Sequence, residues 1–287
     1  MCSTKPRKPL VALLLSVCPG LGQQYAGRLL RGILAYIALI VVSWLAAIAY
    51  MFEESRVLSL VLLAVPFAGA ALIAVDAMNC ARRQPPDYRL KWFNRGWVYA
   101  GVFIGLLVTV NPLMDYLVGK RVVRAYLATT DSMYPAVYRY DVVMINKLLR
   151  PERGDIVLIA FGKRDKERAS SVIRDQILRR VIARAGDTVE IRGRKVYLNG
   201  ELLKEPYASY RETATHNEYV STDYHWGPRK VPEHAFFVLS DSRQYGFDSR
   251  IFGFVDASEI NGIAKKIFWS WNFDKSQFQW SRTALNL

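Results

Sequence analysis

Thr130-Asp131-Ser132-Met133-Tyr134-Pro135 follows the last long apolar run of this 287-residue chain. A serine stands here with a second hydroxyl two positions before it. Upstream the sequence is organised by long uncharged stretches, and downstream by short apolar runs broken by charge and glycine. A chain of this length with so sharp a change of character reads as two structural parts.

Working upstream, residues 32–52 and 57–79 are nearly uncharged, and 97–118 carries one acid near its end, Asp115. About 20 apolar residues in a helix cross the hydrocarbon core of a bilayer. Three transmembrane helices are therefore expected, within a multi-pass α-helical membrane region. Basic residues set its orientation. Lys5, Arg7 and Lys8 begin the chain, Arg28 and Arg31 precede the first full-length run, and Arg82, Arg83, Arg89, Lys91 and Arg95 fill the second connection. The first connection holds Glu53, Glu54 and Arg56. With the basic segments in the cytoplasm, the runs go outward, inward and outward. Residues 119–287 then lie on the extracytoplasmic side.

Residues 1–31 form a cytoplasmic tail with a short apolar segment. Leu10 to Val17 is too short to span and runs into Pro19-Gly20-Leu21-Gly22-Gln23-Gln24-Tyr25. An interfacial or re-entrant helix is expected. No small-x-small site follows the apolar core cleanly, which argues against a cleaved leader.

The net charge of +14 invites a nucleic-acid reading. The basic residues instead concentrate in cytoplasmic loops and at helix ends, where anionic lipid headgroups are the partner and nucleic acid is not. Cys2, Cys18 and Cys80 all fall in the membrane half, leaving no disulfide to form beyond residue 119. His216, His225 and His234 are spaced too widely for one local metal site, so no metal or cofactor is expected.

Downstream, 142–145, 156–159 and 236–239 are short β-branched or aromatic runs that read as strands. Lys195 to Leu203 contains Asn199-Gly200, the signal for a two-residue hairpin. Residues 161–176 and 205–233 read as charged or proline-containing loops. A mainly β domain is expected.

Further blocks follow the serine in order: Arg179-Arg180-Val181-Ile182 leading to Gly186-Asp187, then Ser240-Asp241-Ser242-Arg243, then Asp248-Ser249-Arg250 and Gly253-Phe254. In this order the blocks resemble bacterial type I signal peptidases, the serine peptidase S26 family, over about residues 120–275. The Pro-Gly-Leu-Gly-Gln run resembles a small membrane module found ahead of some of them. The resemblance implies an extracytoplasmic signal-peptidase-like catalytic domain at the bacterial inner (plasma) membrane. It makes Ser132 the nucleophile and places Thr130 in the oxyanion hole. Met133 lines a shallow substrate pocket, and Asp241, Arg243, Asp248, Ser249 and Arg250 are scaffold around the site. The implied activity is removal of signal peptides from secretory preproteins after small residues.

Two positions depart from the family pattern. The family's general-base lysine is replaced by Arg179. A serine that hydrogen-bonds that lysine is replaced by Gly246. On its ordinary chemistry a guanidinium does not deprotonate, so Arg179 has no lone pair to offer as a base. Lys147, Lys163, Lys166 and Lys195, the three histidines, and Asp131 beside the serine are the substitutes to weigh. Two readings follow: a signal peptidase I-like serine endopeptidase, or a catalytically degenerate homologue that binds signal peptides or assists assembly.

Overall fold

The computed structural model describes residues 6–161, 176–210, 225–244, 247–273 and 276–287. It divides into two compact units, 1–121 and 122–287.

The first unit is helical. Helix α1 (Pro9–Leu15) and helix α2 (Leu21–Tyr25) are short, and α3 (Leu29–Phe52), α4 (Arg56–Arg82) and α5 (Gly96–Met114) are long. At 1.5 Å per residue α3 spans roughly 36 Å, more than the hydrocarbon core. Helices α3, α4 and α5 (the last with its continuation to Gly119) are long and apolar enough to cross a membrane. Ser55 caps α4 by accepting the Leu58 amide through its hydroxyl at 3.4 Å. The last helix does not run on as α-helix: Asp115–Gly119 is a π-turn.

The segment before α3 holds two short helices, α1 and α2, and a turn between them carries Pro19-Gly20. Its glycines are there for close approach. Gly20 has φ +92°, and a Cβ on it would lie 2.4 Å from the Gly32 carbonyl oxygen. Helix α2 is fastened from its fully buried Gln23, whose amide donates to the Ile73 carbonyl at 2.7 Å and to Asp76 at 3.1 Å. Asp76 also takes a two-pronged bond from Arg31, at 3.0 and 2.5 Å.

The second unit is mainly β. Its strands are β1 (Val123–Leu127), β2 (Val142–Asn146), β3 (Ile156–Ala160), β4 (Gln176–Arg184), β5 (Thr188–Arg192), β6 (Lys195–Leu198), β7 (Glu201–Leu202), β8 (His225–Lys230), β9 (Ala235–Leu239), β10 (Val255–Asp256), β11 (Ile260–Trp269), β12 (Trp271–Asn272) and β13 (Gln277–Phe278). A four-residue helix, α6 (Ser249–Phe252), precedes β10. The main sheet has the order β1-β2-β11-β3-β4-β9-β10, and a four-stranded sheet has the order β7-β6-β5-β8. The pairings are antiparallel.

Strand β3 shows why the main sheet is so apolar. Ile156 and Leu158 pack on one face with Met133, Val137 and Leu178, while Val157 and Ile159 pack on the other with Val181, Val238 and Val255. Alternation therefore sends every residue into a core. The smaller sheet closes a third core around Trp226 and Phe237. Asn199 and Gly200 have φ of 54° and 87° and join β6 to β7, as the turn chemistry requires.

Two loop expectations meet different outcomes. Residues 162–175 lie outside the described residues. The 205–233 loop is corrected: β8 lies within it and pairs with β5. Only Trp226 of β8 is buried, so most of its side chains carry no apolar signal. Backbone pairing to β5 makes it a strand.

Candidate active site

Ser132 sits in the tight chain reversal between β1 and β2. The Tyr134 amide donates to the Asp131 carbonyl at 3.0 Å, and the Val137 amide donates to the Met133 carbonyl at 2.8 Å. Met133 was expected to line a substrate pocket. It is instead 1% exposed and sits in the core with Val143, Leu158 and Leu178, anchoring the turn from below. The Ser132 carbonyl accepts the Ser242 amide at 3.0 Å, tying the turn to the Ser240–Arg243 segment. Ser132 is itself buried, and Thr130 is exposed at the mouth.

The Ser132 Oγ has two hydrogen-bond partners among the described residues. Thr130 Oγ1 lies at 3.0 Å, and Arg179 Nη1 donates to Oγ at 3.0 Å. The second contact joins residues 47 positions apart. A charged guanidinium only donates, so Oγ is the acceptor there and its own proton turns to Thr130.

Arg179 and Arg180 are consecutive on β4, and their side chains leave in opposite directions. Arg180 reaches Asp241 through two bonds of 2.8 and 2.6 Å, donates to the Gly154 carbonyl at 2.6 Å, and lies 4.3 Å from the Tyr207 ring centre. Burial pushes the Asp241 carboxyl up, against the pull of Arg180. Removing one partner of a buried pair strands the other charge. Asp241→Ala is therefore expected to cost roughly 3–5 kcal/mol, read as a lower midpoint in denaturant unfolding.

Arg179 differs from its neighbour. It is 4% exposed and makes no salt bridge among the described residues. Its other bonds go to backbone, Nε to the Phe247 carbonyl at 2.8 Å and Nη1 to the Leu178 carbonyl at 2.5 Å. Burial pushes its guanidinium well below its ordinary value, down to about 10, and Asp248 offsets part of that loss.

The other retained residues form a second cluster. Asp248 accepts the Ser240 amide at 3.0 Å and both Arg250 Nε and Nη2 at 2.8 Å. Ser249 Oγ accepts the Val238 amide at 2.9 Å. Arg250 donates to the Arg243 carbonyl at 2.9 Å, and Arg243 pairs with Glu205 at 2.5 Å. Glu205 gave no signal in the sequence, standing 38 residues from its partner in a segment that reads as loop.

Among the described residues, Asp131, Lys195, His225 and His234 make no hydrogen bond to the Ser132 hydroxyl. Asp131 accepts the Arg139 amide at 3.1 Å and makes no bond to Arg179. Lys195 is exposed on β6, His225 is exposed on β8, and His234 occupies an exposed turn with φ 59°. Lys163, Lys166, His216 and Gly246 lie outside the described residues. Among the described residues, Arg179 is the basic side chain bonded to the Ser132 hydroxyl.

The family model for signal peptidase, peptidase S26, matches residues 95–269, a span that holds every residue of this site. The chain belongs to the signal peptidase family, peptidase S26. It is 32% identical to signal peptidase I of Leptolyngbya laminosa over 155 residues, which is 53% of this chain and 71% of that one. It is 30% identical to signal peptidase I T of Bacillus subtilis over 173 residues, covering 58% and 85%. A crystal structure of a signal peptidase I from Enterococcus faecalis is similar at 30% identity and a TM-score of 0.31, covering 40% of this chain and 97% of that one. This signal peptidase family member is accordingly a serine endopeptidase, a hydrolase of signal peptides.

Proposed function

We propose that the chain is a membrane-anchored signal peptidase of type I that cuts exported preproteins after small residues, with Ser132 as nucleophile and Arg179 as an unusual, weak base. The observation that carries this reading is the 3.0 Å contact between Arg179 Nη1 and Ser132 Oγ, with Thr130 at the same distance on the other side. The basic connections favour an extracytoplasmic second unit and place the arginines of the N-terminal tail and the 83–95 loop against anionic lipid. The clusters around Asp241 and Asp248 act as scaffold: they hold Ser242 and Ser240, and through them the turn that carries Ser132. Met133 forms the floor beneath the substrate pocket.

In the resting state the guanidinium donates to Oγ and cannot accept its proton. Neutral guanidine is the competent form. With a pKa of about 10, deprotonation at pH 7 costs about 4 kcal/mol. Once neutral, Arg179 takes the Ser132 proton as Oγ bonds to the scissile carbonyl carbon. The oxyanion sits between the Ser132 N–H and the Thr130 hydroxyl. The leaving amine then takes the proton back from Arg179, and water hydrolyses the acyl-serine with the same base. Thr130→Val keeps the shape and removes the hydroxyl. It is expected to lower kcat by about 10²-fold with KM little changed.

The test is cleavage of a preprotein bearing Ala-x-Ala by the purified chain in detergent, beside Ser132→Ala. Cutting that depends on Ser132 supports the enzyme. Binding without cutting at any pH would instead assign the chain to the degenerate class.

A further inference from the structure

The main sheet ends in β1 on one side, and among the described strands β1 pairs only with β2. Strand β4 is paired to β3 from Gln176 to Arg180, but its pairing to β9 begins only at Arg180. Residues 176–179 therefore keep one edge unpaired among the described strands. The two edges are four strands apart in the sheet order, yet a side chain from one touches the other. Tyr126 of β1 donates its hydroxyl to the Gln176 carbonyl at 3.0 Å. The sheet is thus curved enough to bring both unpaired edges to one slot. Ser132 lies at its end, on the turn that leaves β1 and in contact with Arg179 of β4.

Carbonyls two residues apart on a strand point to the same edge. Gln176 and Leu178 are so spaced, and both are already taken by side chains: Tyr126 on the first, Arg179 Nη1 on the second at 2.5 Å. An extended peptide adding to this edge needs acceptors for its own N–H groups. It finds them occupied.

We propose that Tyr126 is a latch across the peptide slot. Its hydroxyl holds the Gln176 carbonyl that a bound substrate strand must claim, so residue 126 sets the threshold for substrate entry. The occupant is the extended segment just before the scissile bond. The inference rests on the peptidase reading above and adds to it a specificity residue that touches no reacting atom. Release of Tyr126 frees one acceptor, and displacement of Arg179 from the Leu178 carbonyl frees the next. Substrate binding would then also loosen the guanidinium from one of its three anchors.

Tyr126→Phe keeps the ring and removes the latch. In a Ser132→Ala background, which cannot cut, a fluorescent Ala-x-Ala peptide should bind the Phe variant several-fold more tightly. The same peptide, N-methylated in turn at each of the three residues before the cleavage point, supplies the control. At one of these positions the gain should vanish, because the N–H that replaces the tyrosine is gone. In the cutting enzyme Tyr126→Phe should lower KM several-fold and leave kcat unchanged. Equal or weaker binding by the Phe variant, with an unchanged thermal midpoint, overturns the latch and leaves the peptidase reading intact. A gain that survives N-methylation at all three positions also overturns it. Peptide bound by neither variant sinks the peptide-slot reading itself, and the latch with it.

Discussion

Replacing Ser132 by alanine is expected to reduce preprotein cleavage by about 10⁴-fold or more, to the level left by binding and the oxyanion donors alone. In the proposed mechanism Ser132 contributes the attacking oxygen, and among the described residues no other hydroxyl pairs with Arg179. Thr130 cannot take over. It has no direct bond to the base, and its partner across the site is Ser132 itself. The substitution has a second, smaller consequence. Arg179 Nη1 loses the acceptor at 3.0 Å and keeps only the Leu178 carbonyl. A buried donor that loses a partner costs about 1–3 kcal/mol. A modest fall in the unfolding midpoint should therefore accompany the loss of activity. Ser132→Ala that still cuts at the original rate would exclude Ser132 as the nucleophile.

The second large effect belongs to Arg179. Activity is expected to rise about tenfold per pH unit from neutrality, levelling near the guanidinium value of about 10. The sign follows from the direction of the shift. Burial lowers the affinity of Arg179 for its proton, the neutral form is the base, and the neutral fraction grows as pH rises. At pH 7 that fraction is about 10⁻³. Arg179→Lys should therefore raise cleavage at pH 7 by about 10²-fold and move the rise to lower pH. An amine in the same buried place loses its proton more readily than a guanidinium. The measurement is kcat/KM against pH for both proteins. A flat profile for the wild type, with no gain from lysine, would show that deprotonation of residue 179 does not limit the reaction.

Much of the architecture was legible in the residues. The three long helices follow from uncharged apolar runs of membrane-spanning length. The β6–β7 hairpin follows from Asn199-Gly200, where both residues take positive φ. The family was legible because the Ser132 block stands in order with the Arg179, Asp241 and Asp248 blocks. Strand β8 was not legible. Its Gly227-Pro228 and its charged, mostly exposed side chains look like loop, and its strand character comes from pairing with β5. The burial of Met133 was not legible either. An apolar residue beside a nucleophile reads equally as pocket lining or as core, and only packing against Val143 and Leu158 separates the two.

The sequence by itself determined a chain in two parts, its membrane-length helices, its β-rich second half and its family. These rest on local properties: run length, alternation, turn chemistry and the order of short blocks. Whether residue 179 sits at the serine, and in what electrostatic surroundings, was decided only by tertiary structure. Two consecutive arginines look alike in sequence. One pairs with Asp241; the other is buried against Ser132 and two backbone carbonyls, and burial weakens its hold on its proton. Burial and partner are properties of the folded sheet: Ser132 and the Phe247 carbonyl come from 47 and 68 positions away.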